Sequence, residues 1–376
     1  MQDVSDADHG TEPRKSIHPE ITRRRMLTAG AALVAVTYAD AHLSPTLAAS
    51  RNGKDHPMNK PINSADYIPV SAPTQFMSVS PILFSVPGRQ ADLELKVSVP
   101  IGGTDLPILL LSHGHGQSTY LSSLRGYNPL AEFYAAHGFV VIQPTHQDSK
   151  ALGLDPNGPE GPLFWLSRAQ DMRFILDHLA EIEAAVPGLS GRTDRSRVVA
   201  VGHSMGGHTV GMLAGMRVID PVDGKEWNLS DRRVKAGVLL APPGNGADLA
   251  AFASEHYKVL RNTSYTAMTA PALVVAGDLD QNDNFALRKD WRADAYTFSP
   301  GPKALLTMFG AKHALGGVSG YDVAESQDQD SERLGVVQRM SWAYLRSALY
   351  PGDEAWRKAC AALARSADPQ GRIDVK

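Results

Sequence analysis

The chain has 376 residues, 43% of them apolar and 20% charged, which gives it core enough for one large or two smaller globular domains. Its 37 Lys and Arg stand against 40 Asp and Glu, so it lacks the excess of cation that displaces phosphate counterions, and no nucleic-acid partner is expected. The one cysteine, Cys360, excludes an intrachain disulfide and reads as a packed small hydrophobe.

Residues 1–48 read as an address. Thr22-Arg23-Arg24-Arg25-Met26-Leu27 leads into an uncharged stretch from Met26 to Ala39, the basic-then-apolar order of an export signal, and the paired arginines resemble the twin-arginine type. The apolar run is shorter than the roughly 20 residues a bilayer span takes. Cleavage is expected near Ala48 or Ala49, with Ala39-Asp40-Ala41 as a second site. These features predict a periplasmic or secreted protein that uses the twin-arginine machinery. A chain of this length buries enough core to fold without disulfides, so the single cysteine is compatible with export.

Residues 49–78 contain Pro57, Pro61, Pro69 and Pro73 and read as a linker into a domain spanning 79–350, with 351–376 as a C-terminal tail. Between Ser85 and Pro100, Leu93, Leu95, Val97 and Val99 alternate with mostly polar residues, which predicts an antiparallel edge strand. Ile108 to Leu111 is wholly apolar and predicts a strand buried on both faces. Pro129 to His137 suits a helix stopped by Gly138, and Phe139 to Ile142 a further buried strand.

The segment from Pro144 to Pro162 is a long loop rich in Pro, Gly and Asp, of the kind that borders functional sites. From Arg168 to Glu183, Met172, Ile175, Leu176, Leu179 and Ile182 recur at helical spacing and predict one amphipathic helix. Val234 to Leu240, Ala272 to Ala276 and Ala304 to Met308 are three more apolar strands. Strands alternating with helices predict one α/β domain, a mostly parallel sheet covered on both faces.

One stretch organises the rest. Arg197 to Val201 is an apolar, β-branched run that ends in Gly202-His203-Ser204-Met205-Gly206-Gly207. Gly-x-Ser-x-Gly after a strand and before a helix, here His208 to Met216, predicts a turn so tight that only glycine fits at 202 and 206. Such a turn lifts the Ser204 hydroxyl above the sheet, where helix amides favour negative charge.

A serine hydroxyl needs a base, usually a histidine held by a carboxylate, and in this arrangement the chain order is serine, acid, histidine. After the 272–276 strand only His313 remains, in Phe309-Gly310-Ala311-Lys312-His313. For the acid, Gly277-Asp278-Leu279-Asp280 offers two carboxylates. Asp280, past the turn, is preferred over Asp278, and Asp248 is a third choice. Together with Asp283 the two form only a fragment of a calcium-loop pattern.

An oxyanion needs backbone donors, for which the candidates are the amide of Met205 and, from Ser112-His113-Gly114-His115-Gly116, that of His115. His113 and His115 lack the further ligands of a metal centre, so neither metal nor cofactor is expected. His203 and His208, beside Ser204, read as packing or orienting residues. Tyr120, His146, Phe164 and Trp165 are the candidates for contacts to substrate.

With these motifs located, residues 80–348 resemble the α/β-hydrolases. The stretch from Leu109 to Ile142, with Ser112-His113-Gly114 and Ala136-His137-Gly138-Phe139-Val140-Val141, is similar to the branch of chlorophyllase-like proteins, platelet-activating-factor acetylhydrolases and polyester-degrading cutinases. Plant chlorophyllases tend to carry Arg where this chain has Met205, and the cutinase disulfide cysteines are missing. The resemblance therefore implies a fold and a triad rather than a substrate.

The expected activity is hydrolysis of a small-molecule, lipid or polymeric carboxylic ester through an acyl-enzyme. An amidase or peptidase and an acyltransferase would use the same triad. A non-catalytic binding protein on this fold gives no reason to keep Ser204, Asp280 and His313 together.

Overall fold

Along the chain, apolar runs become strands wherever both faces can be covered, and their order sets where loops meet. The computed structural model describes residues 64–116, 118–320 and 328–376. The expected export signal and the first half of the expected linker, residues 49–63, lie outside the described residues.

The elements in chain order are β1 (Phe76–Phe84), β2 (Leu93–Pro100), β3 (Leu106–Ser112), α1 (Asn128–Ala136) and β4 (Val140–Thr145). They continue with α2 (Trp165–Asp177), α3 (Leu179–Ala185), β5 (Thr193–His203), α4 (Met205–Leu213), β6 (Arg217–Ile219), β7 (Glu226–Trp227) and β8 (Val234–Leu240). Last come α5 (Ala251–His256), β9 (Thr263–Ser264), β10 (Ala272–Gly277), α6 (Asp294–Thr297), β11 (Lys303–Met308), α7 (Ser331–Leu349), α8 (Ala355–Arg365) and β12 (Gly371–Val375).

Nine strands form one sheet in the order β1-β2-β4-β3-β5-β8-β10-β11-β12. The five neighbour pairs from β4 to β11 are parallel, and β1, β2 and β12 attach antiparallel at the two edges. β6, β7 and β9 make a separate small sheet.

Alternation along the central strands divides the core in two. Ile108, Leu110, Val198 and Ala200 face α2, α3 and α4, whereas Leu109, Leu111, Val199 and Val201 face α1, α7 and α8. With helices on both faces, every residue of β3 and β10 is buried, which is why these strands carry no polar face.

The helix after Ser204 runs from Met205 to Leu213 rather than from His208 to Met216, and three larger differences from expectation stand beside it. The Leu93–Val99 strand is not at the edge, because β1, which begins inside the expected linker, pairs alongside it. The amphipathic stretch 168–183 is broken at His178, where φ −118° and ψ 25° leave the helix; Met172, Ile175, Leu176, Leu179 and Ile182 are buried in the same cluster even so. Residues 351–376 are no tail: α8 buries Ala359 and Leu363, and β12 pairs with β11 from Gly371 to Val375.

Candidate active site

The β5–α4 turn follows from steric exclusion. A Cβ on Gly202 would lie 2.1 Å from the Gly206 carbonyl oxygen, and one on Gly206 would lie 2.0 Å from that of Ser112, so both positions require glycine. Ser204 between them is held at φ 54°, ψ −118°, a conformation that non-glycine residues rarely adopt, and its hydroxyl opens into a cavity of about 350 Å³.

His313 and Asp280 line the same cavity. His313 Nδ1 lies 2.9 Å from Asp280 Oδ2, and Arg292 Nε approaches the same oxygen at 3.3 Å. Burial pushes the Asp280 carboxyl up, but Arg292 and His313 more than reverse this and hold it well below the usual carboxylate range. An ionised carboxylate can only accept, so His313 donates from Nδ1 and keeps its Nε2 lone pair for the cavity. Among the described residues no hydrogen bond joins His313 to the Ser204 hydroxyl. Catalytic hydrogen bonds in free enzymes are often long and tighten on binding substrate.

The other carboxylates are engaged elsewhere. Asp278 accepts the Gly310 amide at 2.7 Å and braces the histidine loop, Asp248 pairs with Arg288 at 2.8 Å, and Asp283 accepts from Gln281 at 3.0 Å.

The backbone N–H groups of His115 and Met205 donate to no described residue, and both residues line the cavity beside Ser204. His113 spends both ring nitrogens internally: Nδ1 donates to the Gly114 carbonyl at 2.7 Å, and Nε2 accepts the His146 amide at 3.0 Å. Among the described residues no group of three or more His, Cys, Asp or Glu has the arrangement to hold a metal ion.

A hydrogen-bonded chain ties the three turns of the site together. The Gly114 amide donates to the Tyr127 hydroxyl at 3.0 Å, and that hydroxyl donates to His203 Nδ1 at 2.8 Å. His203 Nε2 lies 2.8 Å from the His313 carbonyl, which only accepts, so the proton of His203 is on Nε2. Burial, with His313 adding to it, lowers the His203 pKa to about 3, and the ring is neutral.

The expected substrate contacts lie elsewhere. Tyr120 lines a separate hollow of about 510 Å³ beside α1 and α7, which contains none of Ser204, Asp280 and His313. His146 is fully buried, with Nε2 on Ser112 at 2.9 Å and Nδ1 on Asp171 at 2.8 Å. Phe164 and Trp165 are buried where α2 begins. Aromatic character alone could not tell a core residue from a pocket residue.

The aromatic wall of the cavity comes instead from two connections, Tyr257 between β8 and β10 and Phe285 after β10, stacked at 5.5 Å and joined by Leu163 and Leu260. Leu163 closes the 144–162 loop, whose first residues, His146 to Ser149, are buried against the turn after β3. Sequence reasoning also passed over Asp148, Arg168, Tyr127 and Arg292, all of them buried polar groups. The one available signal was charge placed next to a strand end or inside an apolar stripe.

A mostly parallel sheet whose central strand ends in a glycine-locked serine turn, with a carboxylate and then a histidine following two later strands, defines an α/β-hydrolase. The family model for the alpha/beta hydrolase family matches residues 108–374, and the chain belongs to that family, which supports a hydrolase-type catalytic function. A search among curated proteins found no match.

Proposed function

We propose that the protein is a serine hydrolase of carboxylic esters that works through an acyl-enzyme. Ser204 Oγ attacks the ester carbonyl and its proton passes to His313 Nε2, while Asp280 orients the imidazole and stabilises its charged form. The oxyanion is held by the amides of His115 and Met205, each such donor being worth roughly 3–4 kcal/mol when lost. Collapse of the tetrahedral adduct expels the alcohol, which takes the proton from His313. Water then attacks the acyl group by the same route, freeing the acid and Ser204.

The observation that carries this reading is the convergence of Ser204, His313 and Asp280 on one cavity, with the His313–Asp280 contact at 2.9 Å. The resemblance to ester-cleaving α/β-hydrolases favours esters over amides, and no cofactor is required. A matched aryl ester and anilide test it: hydrolysis of the ester to the free acid, with the anilide far slower, is expected. Turnover of the anilide alone, or transfer of the acyl group to an added alcohol in place of water, would contradict it.

We also propose that the mature protein acts in the periplasm or outside the cell, on the basis of the arginine pair and the apolar run that follows it. N-terminal sequencing of the exported form should begin near residue 49 or 50. Retention of the intact precursor in the cytoplasm would refute this.

A further inference from the structure

The His115 backbone serves the proposed oxyanion site, but its side chain has no role in the chemistry above. It is nevertheless held with care. Asp148, almost wholly buried, faces His115 Nδ1 at 3.0 Å and is ion-paired on its other side with Arg168, which is fully buried. Arg168 is fixed in turn by the His113 carbonyl and by Thr209 Oγ1 at 3.1 Å.

Burial raises the Asp148 carboxyl, and Arg168 and His115 more than reverse the effect, leaving it charged and able only to accept. The proton of neutral His115 is therefore on Nδ1, and Nε2 carries a lone pair. That atom has no hydrogen-bond partner among the described residues and is not sealed from solvent, and His115 lines the cavity that holds Ser204. Around it the wall is aromatic and aliphatic: Tyr257 meets the ring edge-on at 6.2 Å, and Leu163, Leu260 and Met205 line the same space. Gln281 and Asn282, also in the cavity, make no hydrogen bond to the ring.

An acceptor in such a wall loses its water when substrate enters. A plain hydrocarbon group would leave the lone pair buried and unpaired, whereas a hydroxyl would satisfy it. Sites built this way discriminate against the analogue that lacks the donor.

We propose that the His115 side chain is a specificity determinant that reads a hydrogen-bond donor, so that the preferred substrate is an ester bearing a hydroxyl group, such as a hydroxy-acid ester. The inference rests on the esterase reading for its substrate class, but its recognition step can be measured without turnover.

The test compares an aryl 3-hydroxybutyrate with the aryl butyrate in the wild type, His115→Phe and His115→Gln. In the wild type kcat/KM should favour the hydroxy ester by about tenfold, the effect of one ordinary hydrogen bond. That ratio should fall to near one in H115F, which keeps a ring but no acceptor, and recover in part in H115Q, whose amide oxygen accepts. No preference in the wild type, the same preference in H115F, or an equal loss on both esters would overturn the proposal.

Calorimetry of Ser204→Ala with the same two esters gives a readout that survives poor folding of the His115 variants. It also survives failure of the esterase reading, which would show as wild-type turnover of neither ester. About tenfold tighter binding of the hydroxy ester supports the proposal, and equal binding overturns it.

Discussion

Two imidazoles face the cavity, each bound through Nδ1 to a buried aspartate that is itself paired with an arginine, and they differ in what surrounds them. In His313–Asp280–Arg292 the imidazole is 40% exposed and stands on the loop after β11. In His115–Asp148–Arg168 it is 14% exposed and wedged on the turn after β3, above an arginine with no exposure. The same three groups thus make one exposed ring suited to taking and returning a proton, and one fixed ring suited to offering a lone pair. The orienting carboxylate is common to both; freedom of the ring and the chemistry of the facing wall separate them.

Substitution of the two aspartates breaks the comparison most sharply. Asp280→Asn should lower kcat on an aryl ester by about 10³-fold, because the amide no longer stabilises a charged imidazole or enforces its tautomer. The loss of stability should be the smaller effect, since Arg292 also stacks on Trp291 at 4.8 Å. Asp148→Asn should do the reverse. Arg168 is left as an uncompensated buried charge, at a cost of about 3–5 kcal/mol in denaturant unfolding, while kcat of the folded fraction on an unhydroxylated ester falls less than tenfold. Equal loss of activity in the two variants would erase the distinction.

Tyr127→Phe tests the link between the turns on which the two imidazoles stand. It strips a partner from the Gly114 amide and from His203 Nδ1 at once. We expect kcat to fall about tenfold with KM nearly constant, as positioning of the oxyanion turn and of the His313 loop loosens. A rise in KM with unchanged kcat would place Tyr127 in ground-state binding instead.

A graded effect is expected on stability against pH, where no single substitution is needed to see it. Burial lowers the pKa of His203 and of His208 to about 3 from an ordinary 6.5. In that window the unfolded chain binds more protons than the native one. The stability present above pH 6.5 is therefore lost as pH falls toward 3, at about 1.4 kcal/mol per pH unit for each ring. Urea unfolding from pH 7 to 4 should show this slope, and His208→Gln should flatten it; an unchanged slope would show that His208 takes up its proton in the native state.

The parts of this site that sequence revealed are those dictated by local sterics or by chain order. Gly202 and Gly206 leave a Cβ no room, and His313 is the only histidine after β10, so the serine turn and the histidine that shares its cavity were legible without coordinates. Asp280 was separable from Asp278 because the carboxylate past the turn reaches His313, whereas the one on the turn is taken by the Gly310 amide at the start of the same loop. The Asp148–Arg168 pair was not legible, since its partners are 20 residues apart and its role depends on a ring that a third segment supplies. Tyr257 and Phe285 were missed for a similar reason. Their stacking is a property of the folded connection between β8 and the region beyond β10, and periodicity carries no signal for it. The converse error, taking Phe164 and Trp165 for pocket residues, came from aromatic type without knowledge of burial.

The most direct measurement of the central claim is reaction of the native protein with a fluorophosphonate, the adduct mapped by peptide mass spectrometry. A single adduct on Ser204 is predicted, abolished in Ser204→Ala and formed far more slowly in Asp280→Asn. Absence of labelling, or an adduct on another residue, would contradict a nucleophile activated at the end of β5.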